Sequence, residues 1–556
     1  MRNRLSARQA RVLAGTLACA LALTLGAPSA QAGGFDMPGL GTRGLGRAGA
    51  WGVRSDSPLA LHLNPANLAR LDGINVEISL HLASLQSCFD RTGTPTRDGN
   101  GDARAQETPD RANTPVGSNN GNVNDFGAPS QYAGIEYPEV CNDAGIFPIP
   151  QMALSFRPHE RVGIGIGLIA PNNVGHRTFG AASGPNLGTY AVPGAPTGRL
   201  PVSSRYDVIE ANVLLAFVAV GAGIELHPRL RVGASFGYGF ASPGFTTAVT
   251  PVHGEDIARD IIAVVDAHDR FVPRIGLSVD AEPVDGLELM AGFTWTGDVK
   301  ASGDLNLRPV FWGDIAGQAN RPRMGRDEGW ENVTFPVNLT APQTSVLNAG
   351  VRYAMARPGA RSTSDRINGV PALEPAEGDP ARSSDPMRDE VFDLELDVVV
   401  TLGSRVKSFN VVASERPGPW LVSGVISLPA PPEISLPHNW RTQVMVALGG
   451  DVNVLPEVLA LRWGLVYETH GVEAGYERLD FTPWQLFGGS FGMTLRIQRF
   501  ELSLAYMHTH YFTVNNSESQ ARVTSPVAAG EGTIINAGRF TASTNLISLG
   551  LSYRFR

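Results

Sequence analysis

The sequence has no long apolar run beyond its first 26 residues. Its longest uninterrupted apolar stretch, residues 213–224, is too short to cross a bilayer as a helix, so a bundle of membrane-spanning helices is excluded. The chain also lacks an excess of basic residues, with 45 Lys and Arg against 53 Asp and Glu, and we therefore expect no nucleic-acid partner. Its 63 glycines and 40 prolines follow no period, which excludes a collagen-like fibre.

Motifs of catalysis are equally scarce. The chain contains neither a GxxxxGK phosphate-binding loop nor a Gly-x-Ser-x-Gly motif, and its scattered serines and histidines do not point to one site. His508 and His510 have the spacing of metal ligands, but they lie on the predicted outward face of a strand and no third ligand is evident. The sequence therefore predicts no enzyme, no cofactor and no metal site.

The first 32 residues have the pattern of a secretory signal peptide. Four arginines precede an apolar segment at residues 12–25, and a small-x-small cleavage motif ends at Ala32. Cys19 raises the alternative of a lipoprotein, although the residues before it match that signal poorly. Because an exported chain meets an oxidising compartment, Cys88 and Cys141 are predicted to form a disulfide, with two free thiols as the alternative.

Strict alternation of apolar and polar residues recurs along the rest of the chain. In residues 459–468, for example, Leu461, Trp463 and Leu465 alternate with Arg462 and Gly464. A soluble β-sandwich also alternates. These segments, however, have about ten residues or more and carry aromatic residues near the ends of their apolar faces, as membrane-spanning strands do. Since every backbone group must be paired in hydrocarbon, we predict an all-β fold, a closed antiparallel transmembrane β-barrel.

The lengths of the connections support this prediction. Between residues 74 and 555 we count 14 candidate strands, and long connections alternate with turns of a few residues. Bacterial outer-membrane barrels combine long outer loops, short periplasmic turns and an even number of strands, so residues 73–556 are predicted to form a 14-stranded barrel. One connection, residues 356–390, is long where a short turn is due. It is either a disordered periplasmic insert, which its composition allows, or a place where our register slips.

About forty residues between the signal peptide and the first strand do not alternate. Residues 33–72 are rich in glycine, partly apolar, and long enough to fold inside a barrel lumen as a hatch. Its distinctive residues include Gly46, Arg47, Ala48, Asp56, Asn64, Pro65 and Ala66. Through these residues the chain resembles the FadL/TodX family of outer-membrane transporters of long-chain fatty acids and other hydrophobic compounds. Further similarity at residues 273–278, 440–464 and 500–508 and in the last strand extends over nearly the whole mature chain.

The resemblance implies a 14-stranded barrel, an N-terminal hatch and a kinked third strand that opens sideways. The third candidate strand has glycine at its inward positions, Gly163, Gly165 and Gly167. Glycine there fits a kink with a lateral opening, which we favour, or close packing of the hatch against bare backbone. The resemblance also implies that Phe35 lines an inner pocket; the alternative is a simple packing role.

Several side chains are candidates for contact with a ligand or with the hatch. Residues 256–268 have apolar residues at helical spacing, which predicts an amphipathic helix in a long outer loop, either forming an apolar groove for the ligand or packing on the barrel rim. Arg462 points inward and is a candidate partner for a ligand carboxylate. The predicted groove face consists of Ile257, Ile261, Val264, Val265 and His268. The wall charges predicted to pair with Arg47 and Asp56 include Glu288, Asp393, Glu395 and Arg462.

Together these features predict an outer-membrane channel of a Gram-negative bacterium for hydrophobic small molecules. Burial of a methylene group contributes about 0.8 kcal/mol at most, so uptake can run down a gradient without nucleotide hydrolysis. The expected partners are a fatty-acid-like ligand, outer-membrane lipid and lipopolysaccharide, and the barrel is expected to be a monomer. The alternative is a structural or surface-interaction barrel, which a sealed hatch without an apolar pocket would favour.

Overall fold

In the computed structural model the chain forms a closed antiparallel barrel of 14 strands. The structure describes residues 39–91, 139–170, 175–181, 187–191, 199–249, 261–309, 333–360, 362–368, 385–415, 419–422, 427–429, 433–526, 532 and 534–555. The predicted signal peptide and Phe35 lie outside these residues. The prediction of a 14-stranded barrel is confirmed.

The strands follow one another around the ring in chain order. Those that run without interruption are β1 (Ile74–Arg91), β2 (Ile146–His159), β4 (Glu210–His227), β5 (Leu230–Val249), β6 (Ile261–Val284), β11 (Leu459–Glu468), β12 (Leu486–Ile497), β13 (Phe500–Tyr511) and β14 (Gly538–Phe555). Those built from two segments are β3 (Val162–Ile169, Gly175–Thr178), β7 (Leu287–Thr296, Val299–Pro309), β8 (Val333–Ala341, Ser345–Ala356), β9 (Glu390–Leu402, Ser408–Ala413) and β10 (Glu433–Pro437, Gln443–Leu455). The barrel closes because β14 pairs with β1 along their whole length, from Ile74–Phe555 to Arg91–Gly538.

The helices are short, and none of them is part of the barrel wall. They are α1 (Gly41–Leu45), α2 (Ala60–Leu63), α3 (Thr363–Ile367) and α4 (Pro386–Asp389), with 3-10 turns at Pro65–Arg70 and Gly403–Arg405. Short additional strands occur at Val140–Cys141, Thr189–Ala191, Arg199–Pro201, Pro419–Val422, Ser427–Pro429 and Val514–Asn516. Among the described residues, no helix combines the length and the apolar character that a membrane crossing requires.

The two faces of the strands follow the predicted alternation. In β11, Leu461, Trp463 and Leu465 are 40–45% exposed, whereas Arg462 and Gly464 are buried. The apolar side chains therefore form the outer surface of the barrel, as a wall in contact with lipid requires, and polar side chains face the lumen. His508 and His510 also face outward, and His508 Nδ1 lies 2.9 Å from Asn545 Oδ1.

The long connection between β8 and β9 is a true insert. These strands pair regularly from Ser345–Leu402 to Ala356–Glu390, with one irregularity at the last pair, so our register does not slip there. The described parts of the insert are folded: α3 begins with a capping box between Ser362 and Asp365, and α4 precedes β9 directly. The expectation of disorder is therefore wrong for these parts.

The predicted amphipathic helix is also wrong where the structure describes it. Residues 261–268 form the start of β6 and pair with β5 on one side and with β7 on the other. Ile261 and Val265 are buried on one face of the strand, whereas Val264, which is half-buried, and His268, which is exposed, lie on the other face, so the predicted set does not share one face. Pairing on both sides satisfies the backbone of this segment, which a local pattern cannot reveal. Ile257 lies outside the described residues.

The predicted disulfide is confirmed. Cys88 near the end of β1 and Cys141 are bonded, with an S–S distance of 2.01 Å. Residues Val140–Cys141 also pair with β1 as a short strand, so the bond joins neighbouring strands at the end of the barrel that carries the long loops. Two free thiols, the alternative, are not what the structure shows.

Candidate hatch and ligand cavity

Residues 39–72, here called the hatch, are enclosed by the barrel. Their backbone and side chains bond to strands on opposite sides of the ring, for example to Ser278 on β6 and Ser548 on β14. Trp51 and Arg47 are completely buried. Because these contacts come from around the circumference, the hatch fills the cross-section of the lumen at this level.

The centre of the hatch is the guanidinium group of Arg47. Its Nη1 atom lies 2.9 Å from Asp393 Oδ1 and 3.0 Å from Asp451 Oδ1, and its Nη2 atom lies 2.9 Å from Glu395 Oε2. The Nε atom donates to the carbonyl of Ala50. Arg47 therefore pairs with two of the wall carboxylates that the sequence singled out, Asp393 and Glu395, and with a third that it did not.

Strand β9 presents three carboxylates in succession to the hatch backbone. Besides the contacts with Arg47, Glu395 accepts a hydrogen bond from the amide of Val53 at 2.7 Å. Asp397 accepts from the amides of Trp51 at 3.0 Å and Gly52 at 2.7 Å. The period of two along a strand places Asp393, Glu395 and Asp397 on one face. A single strand therefore binds consecutive backbone amides of the hatch, those of residues 51–53.

The Asn64-Pro65-Ala66 segment seats the hatch against bare barrel backbone. Asn64 donates its side-chain amide to the carbonyl of Gly52 at 3.0 Å, and the amide of Ala66 donates to Ser278 at 2.9 Å. A Cβ atom built on Gly233 would lie 2.1 Å from the nitrogen of Ala66, which is far inside the van der Waals distance. The wall therefore needs glycine here so that the two backbones can approach.

The glycines of the third strand have the same role. A Cβ atom at Gly163 would lie 1.8 Å from the carbonyl oxygen of Leu68, and one at Gly165 would lie 2.9 Å from a Leu68 methyl group. Pairing of β3 with β4 is continuous from Val162 to Ile169, whereas its pairing with β2 is regular from Leu168 to Ile164 and shifts in register before Val162. Close packing of the hatch, the alternative, is what these contacts show, and the lateral opening predicted at Gly163, Gly165 and Gly167 stays a prediction.

Asp56 pairs within the hatch rather than with the wall. Its carboxylate lies 3.1 Å from Arg43 and 3.3 Å from Arg54. Burial alone would raise the pKa of Asp56, but the guanidinium groups of Arg54 and Arg43 outweigh it and hold this pKa well below its usual range. The hatch thus carries its own compensated charge cluster.

A second cluster links the hatch to the end of the barrel that carries the short turns. Glu501 on β13 pairs with Arg43 of the hatch, with Arg496 at 2.7 Å and with Arg554 at 3.1 Å. Arg496 also pairs with Asp385 of the insert at 2.6 Å. The insert is therefore connected to the hatch through a continuous series of ion pairs.

A cavity of about 130 Å³ lies between the hatch and the wall. Its lining is more apolar than polar. The apolar side chains that line it include Leu40, Leu63, Ile149, Ala170, Met290, Val346, Val399 and Met445. The polar side chains that line it include His62, His81, Gln151, Arg274, Asn348, Asp397 and Glu468.

His62 and Arg274 form a polar pair at this cavity. Arg274 Nη2 lies 3.1 Å from His62 Nε2, and a guanidinium can only donate, so His62 accepts through Nε2 and carries its proton on Nδ1. Burial, and secondarily the charge of Arg274, hold the pKa of His62 well below its usual range. His62 is therefore neutral at physiological pH.

Among the described residues, the pairing of the wall is interrupted next to the cavity. Pairing between β2 and β3 ends at Met152–Leu168, and among the described residues the remainder of β2, residues 146–151, pairs only with β1. The two described segments of β3 end at Ile169 and begin again at Gly175, where the second segment pairs with β4; residues 171–174 lie outside the described residues. Ile149, Gln151 and Ala170 line the cavity at this interruption.

The chain is similar to several solved transporter structures along nearly its full length. A FadL homologue from Pseudomonas aeruginosa matches with a TM-score of 0.65 at 15% identity, covering 94% of this chain and 100% of the other. The toluene transporter TodX from P. putida matches with a TM-score of 0.53 at 14% identity, covering 94% and 100%. The toluene transporter TbuX from Ralstonia pickettii matches with a TM-score of 0.51 at 14% identity, covering 94% and 99%.

The chain has the FadL/TodX fold. No protein-family model matches the sequence, and no curated protein matches it either. At these identities the similarity establishes the fold, and the resemblance seen in the sequence is confirmed at that level.

The residues that the sequence predicts for ligand contact do not come together at the cavity. Arg462 lies 3.3 Å from Asp451 and donates to Thr494, and it is not part of the cavity lining. Ile261, Val264 and Val265 lie on β6 and do not line the cavity either. Phe35 and Ile257 fall outside the described residues, so their predicted roles stay predictions.

Sequence reasoning missed His81, Gln151 and Arg274. They lie on three different strands and meet only because the barrel closes around the hatch. One signal for the neighbouring interruption was present: Pro148 and Pro150 are two residues apart on β2, so their missing N–H groups face the same side of the strand. Proline inside a sheet marks an unpaired edge, and this pair marks the side on which β3 departs.

Proposed function

We propose that this protein is an outer-membrane channel for the passive uptake of hydrophobic small molecules. The observation that carries the proposal is the mostly apolar cavity between hatch and wall, which reaches an interruption of the wall at Ile149, Gln151 and Ala170. A hydrophobic molecule needs such an apolar site because a polar lumen does not favour it. The solved structures with this fold include transporters of toluene, which supports a ligand of this class.

The route that we propose leads from the cavity sideways into the membrane. Residues 146–151 of β2 lack a described partner on the side of β3, and Pro148 and Pro150 cannot donate hydrogen bonds there. A ligand at Ile149 and Ala170 would therefore leave the barrel without breaking an existing ladder. An opening at Gly163, Gly165 and Gly167 remains a proposal for the same step.

Sideways exit also avoids displacing the whole hatch. The Arg47 ion pairs are buried, and separation of a buried ion pair costs about 3–5 kcal/mol. We propose that ligand arrival moves only the hatch residues at the cavity, such as Leu40 and Leu63, while the Arg47 cluster stays in place. We also propose that Phe35 lines the inner pocket and takes part in this movement.

The site of capture at the outer end is inferred from a second cavity. A smaller apolar cavity of about 30 Å³ lies at the end with the long loops, between Val213, Phe245, Phe409 and Phe481. This volume is that of a water molecule rather than of a ligand. We propose that capture begins near this aromatic cluster, and the predicted groove of residues 256–268 is a proposal for the same step.

The alternative, a structural or surface-interaction barrel, would be favoured by a sealed hatch without an apolar pocket. The cavity removes the reason to prefer it. The proposed location in a Gram-negative outer membrane, with lipid and lipopolysaccharide around a monomeric barrel, follows from the apolar outer face and from the fold.

The proposal is tested by uptake of labelled toluene and labelled oleate into cells with and without the gene. We expect gene-dependent uptake of at least one of these probes. Ala170→Trp places a bulky side chain at the interruption and should remove most of that uptake, because it narrows the exit. Leu504→Trp adds similar bulk to the outer face at an exposed position on β13 and should leave uptake unchanged. Equal uptake with and without the gene, for both probes, would rule out the channel.

A further inference from the structure

His81 is a buried histidine that the fold leaves without a normal hydrogen bond. It lies on β1 and is 2% exposed, and neither of its ring nitrogens has a partner of ordinary hydrogen-bond geometry. Another buried histidine, His438, is satisfied at both nitrogens, by the carbonyl of Leu436 at 2.9 Å and by Asp480 at 2.9 Å. Because buried polar groups are normally paired, an imidazole left in this state at a cavity points to a ligand.

His81 and Gln151 both line the ligand cavity. The two residues are on adjacent strands, where His81 pairs with Ile149 and Ser79 pairs with Gln151, so His81 and Gln151 are diagonal neighbours. The side-chain oxygen of Gln151 accepts a hydrogen bond from the amide of Gly41 at 2.8 Å. This bond orients the Gln151 side chain against the hatch and leaves its NH₂ group as the donor end.

The cavity limits the size of the ligand. Its volume of about 130 Å³ is close to that of an engineered apolar cavity of about 150 Å³ that holds one benzene molecule. A single six-membered ring with small substituents matches this space. A long acyl chain exceeds it and would have to extend through the interruption of the wall.

The charges around the cavity disfavour an anionic ligand. The carboxylates of Asp397 and Glu468 line it, against the single guanidinium group of Arg274, which already donates to His62. A carboxylate entering this space would approach two carboxylates of the wall. An uncharged polar group avoids that repulsion and still satisfies an imidazole, which accepts through one nitrogen and donates through the other.

We infer that the cavity selects ring-sized, uncharged molecules that carry one hydroxyl group, and that His81, with Gln151, recognises that hydroxyl. The inference rests on the proposed function, since it names the substrate class of the same cavity. A hydrocarbon of equal size fills the apolar part of the cavity but leaves the imidazole buried and unpaired. A hydroxylated ring fills the same space and pairs with it, so the difference in affinity measures this one interaction.

The test compares p-cresol with p-xylene, in which a methyl group replaces the hydroxyl. Binding of each labelled probe to the purified full-length protein in detergent is measured by equilibrium dialysis against protein-free micelles. We expect the wild type to bind p-cresol at least about tenfold more tightly than p-xylene. His81→Leu should reduce this preference below about threefold, chiefly by weakening p-cresol. Leu504→Ile, on the outer face of β13 and away from the cavity, should keep it.

The wild-type measurement stands without the variants, so a His81→Leu protein that fails to fold does not weaken the test. Equal affinity of the wild type for p-cresol and p-xylene overturns the inference. A preference that His81→Leu retains also overturns it, because another group then recognises the hydroxyl. Tighter binding of benzoate than of p-cresol overturns the argument from charge. If neither probe binds while uptake of toluene or oleate remains gene-dependent, the inference fails and the proposed channel stands.

Discussion

Replacement of Arg47 by methionine tests whether a buried cation holds the hatch in the barrel. Methionine keeps a long unbranched side chain and removes the charge. Arg47 is completely buried and pairs with Asp393, Glu395 and Asp451 at 2.9–3.0 Å. Its removal leaves these carboxylates in a site that excludes water, which is where loss of one ion-pair partner is most destabilising.

The magnitude depends on which partners the carboxylates retain. Asp393 keeps Arg352 at 2.6 Å, and Asp451 keeps Arg54 at 3.1 Å. Glu395 loses the cation that binds it and keeps backbone amides such as that of Val53. We therefore expect the lower end of the range for a broken buried pair, about 3 kcal/mol, which corresponds to a rise of roughly a hundredfold in the fraction of molecules with an undocked hatch.

The assay is single-channel conductance of the purified protein in planar bilayers. An undocked hatch opens a wide polar lumen, so Arg47→Met should show open events that the wild type rarely shows. Heat-modifiable migration in gels verifies that the barrel itself has formed. Cleavage of the hatch by added protease gives a second measure of undocking.

The matched control is Arg405→Met. Arg405 pairs with Asp298 at 2.8 Å, but its side chain is 44% exposed, and such surface pairs contribute about 0–1 kcal/mol. We expect this variant to behave like the wild type. If Arg47→Met also matches the wild type in conductance and protease resistance, the view that the Arg47 cluster anchors the hatch is refuted.

Three further predictions concern the hatch and the outer loops. Gly163→Val should prevent normal seating of the hatch, because a Cβ atom at this position would lie 1.8 Å from the carbonyl oxygen of Leu68. The conductance of this variant should therefore rise like that of Arg47→Met. The depressed pKa of Asp56 means that its stabilising contribution is present above the unfolded pKa of about 3.8 and is lost only as pH falls through the lower folded value, so conductance should not change between pH 7.5 and pH 5. Replacing Cys88 and Cys141 together by serine should destabilise the loop region by about 2–4 kcal/mol, seen as faster proteolysis of residues between them.

Each of these predictions has its own check. Gly489→Val is the control for the glycine variant, since a Cβ atom there lies at an ordinary 3.5 Å from Leu465, and equal conductance of the two variants would contradict the packing argument. A hatch that opens at pH 5 would show that the ion pairs of Asp56 do not persist in acid. Labelling of the native protein by a maleimide without reductant would contradict the disulfide.

Patterns close together along the chain predicted much of the fold. Alternation over ten residues or more, as at residues 459–468, reflects only the geometry of a strand with one face in lipid and the other in the lumen. For this reason the sequence determined the barrel and the number of strands. The disulfide followed from a different observation, two cysteines in a chain predicted to be exported. The wall carboxylates Asp393 and Glu395 could be named as partners of Arg47 because inward charges in a barrel need compensation.

Other features had two local readings. Residues 261–268 have apolar residues both at helical spacing and at alternate positions, and only pairing with β5 and β7 decides for a strand. Gly163, Gly165 and Gly167 fit a kink or a close approach, and only the tertiary structure reveals the approach, because Leu68, about a hundred residues earlier in the chain, packs against Gly163 and Gly165.

By itself, then, the sequence determined that this chain curls into a 14-stranded barrel with a hatch segment before it, because the periodicity of a strand is a property of neighbouring residues. The place of the cavity and the identity of its polar groups were decided only by the tertiary structure. His81, Arg274 and Asp397 come from three distant strands, and closure of the ring around the hatch brings them to one cavity. The interruption between β2 and β3 depends likewise on how the strands meet, although Pro148 and Pro150 had marked one of its edges.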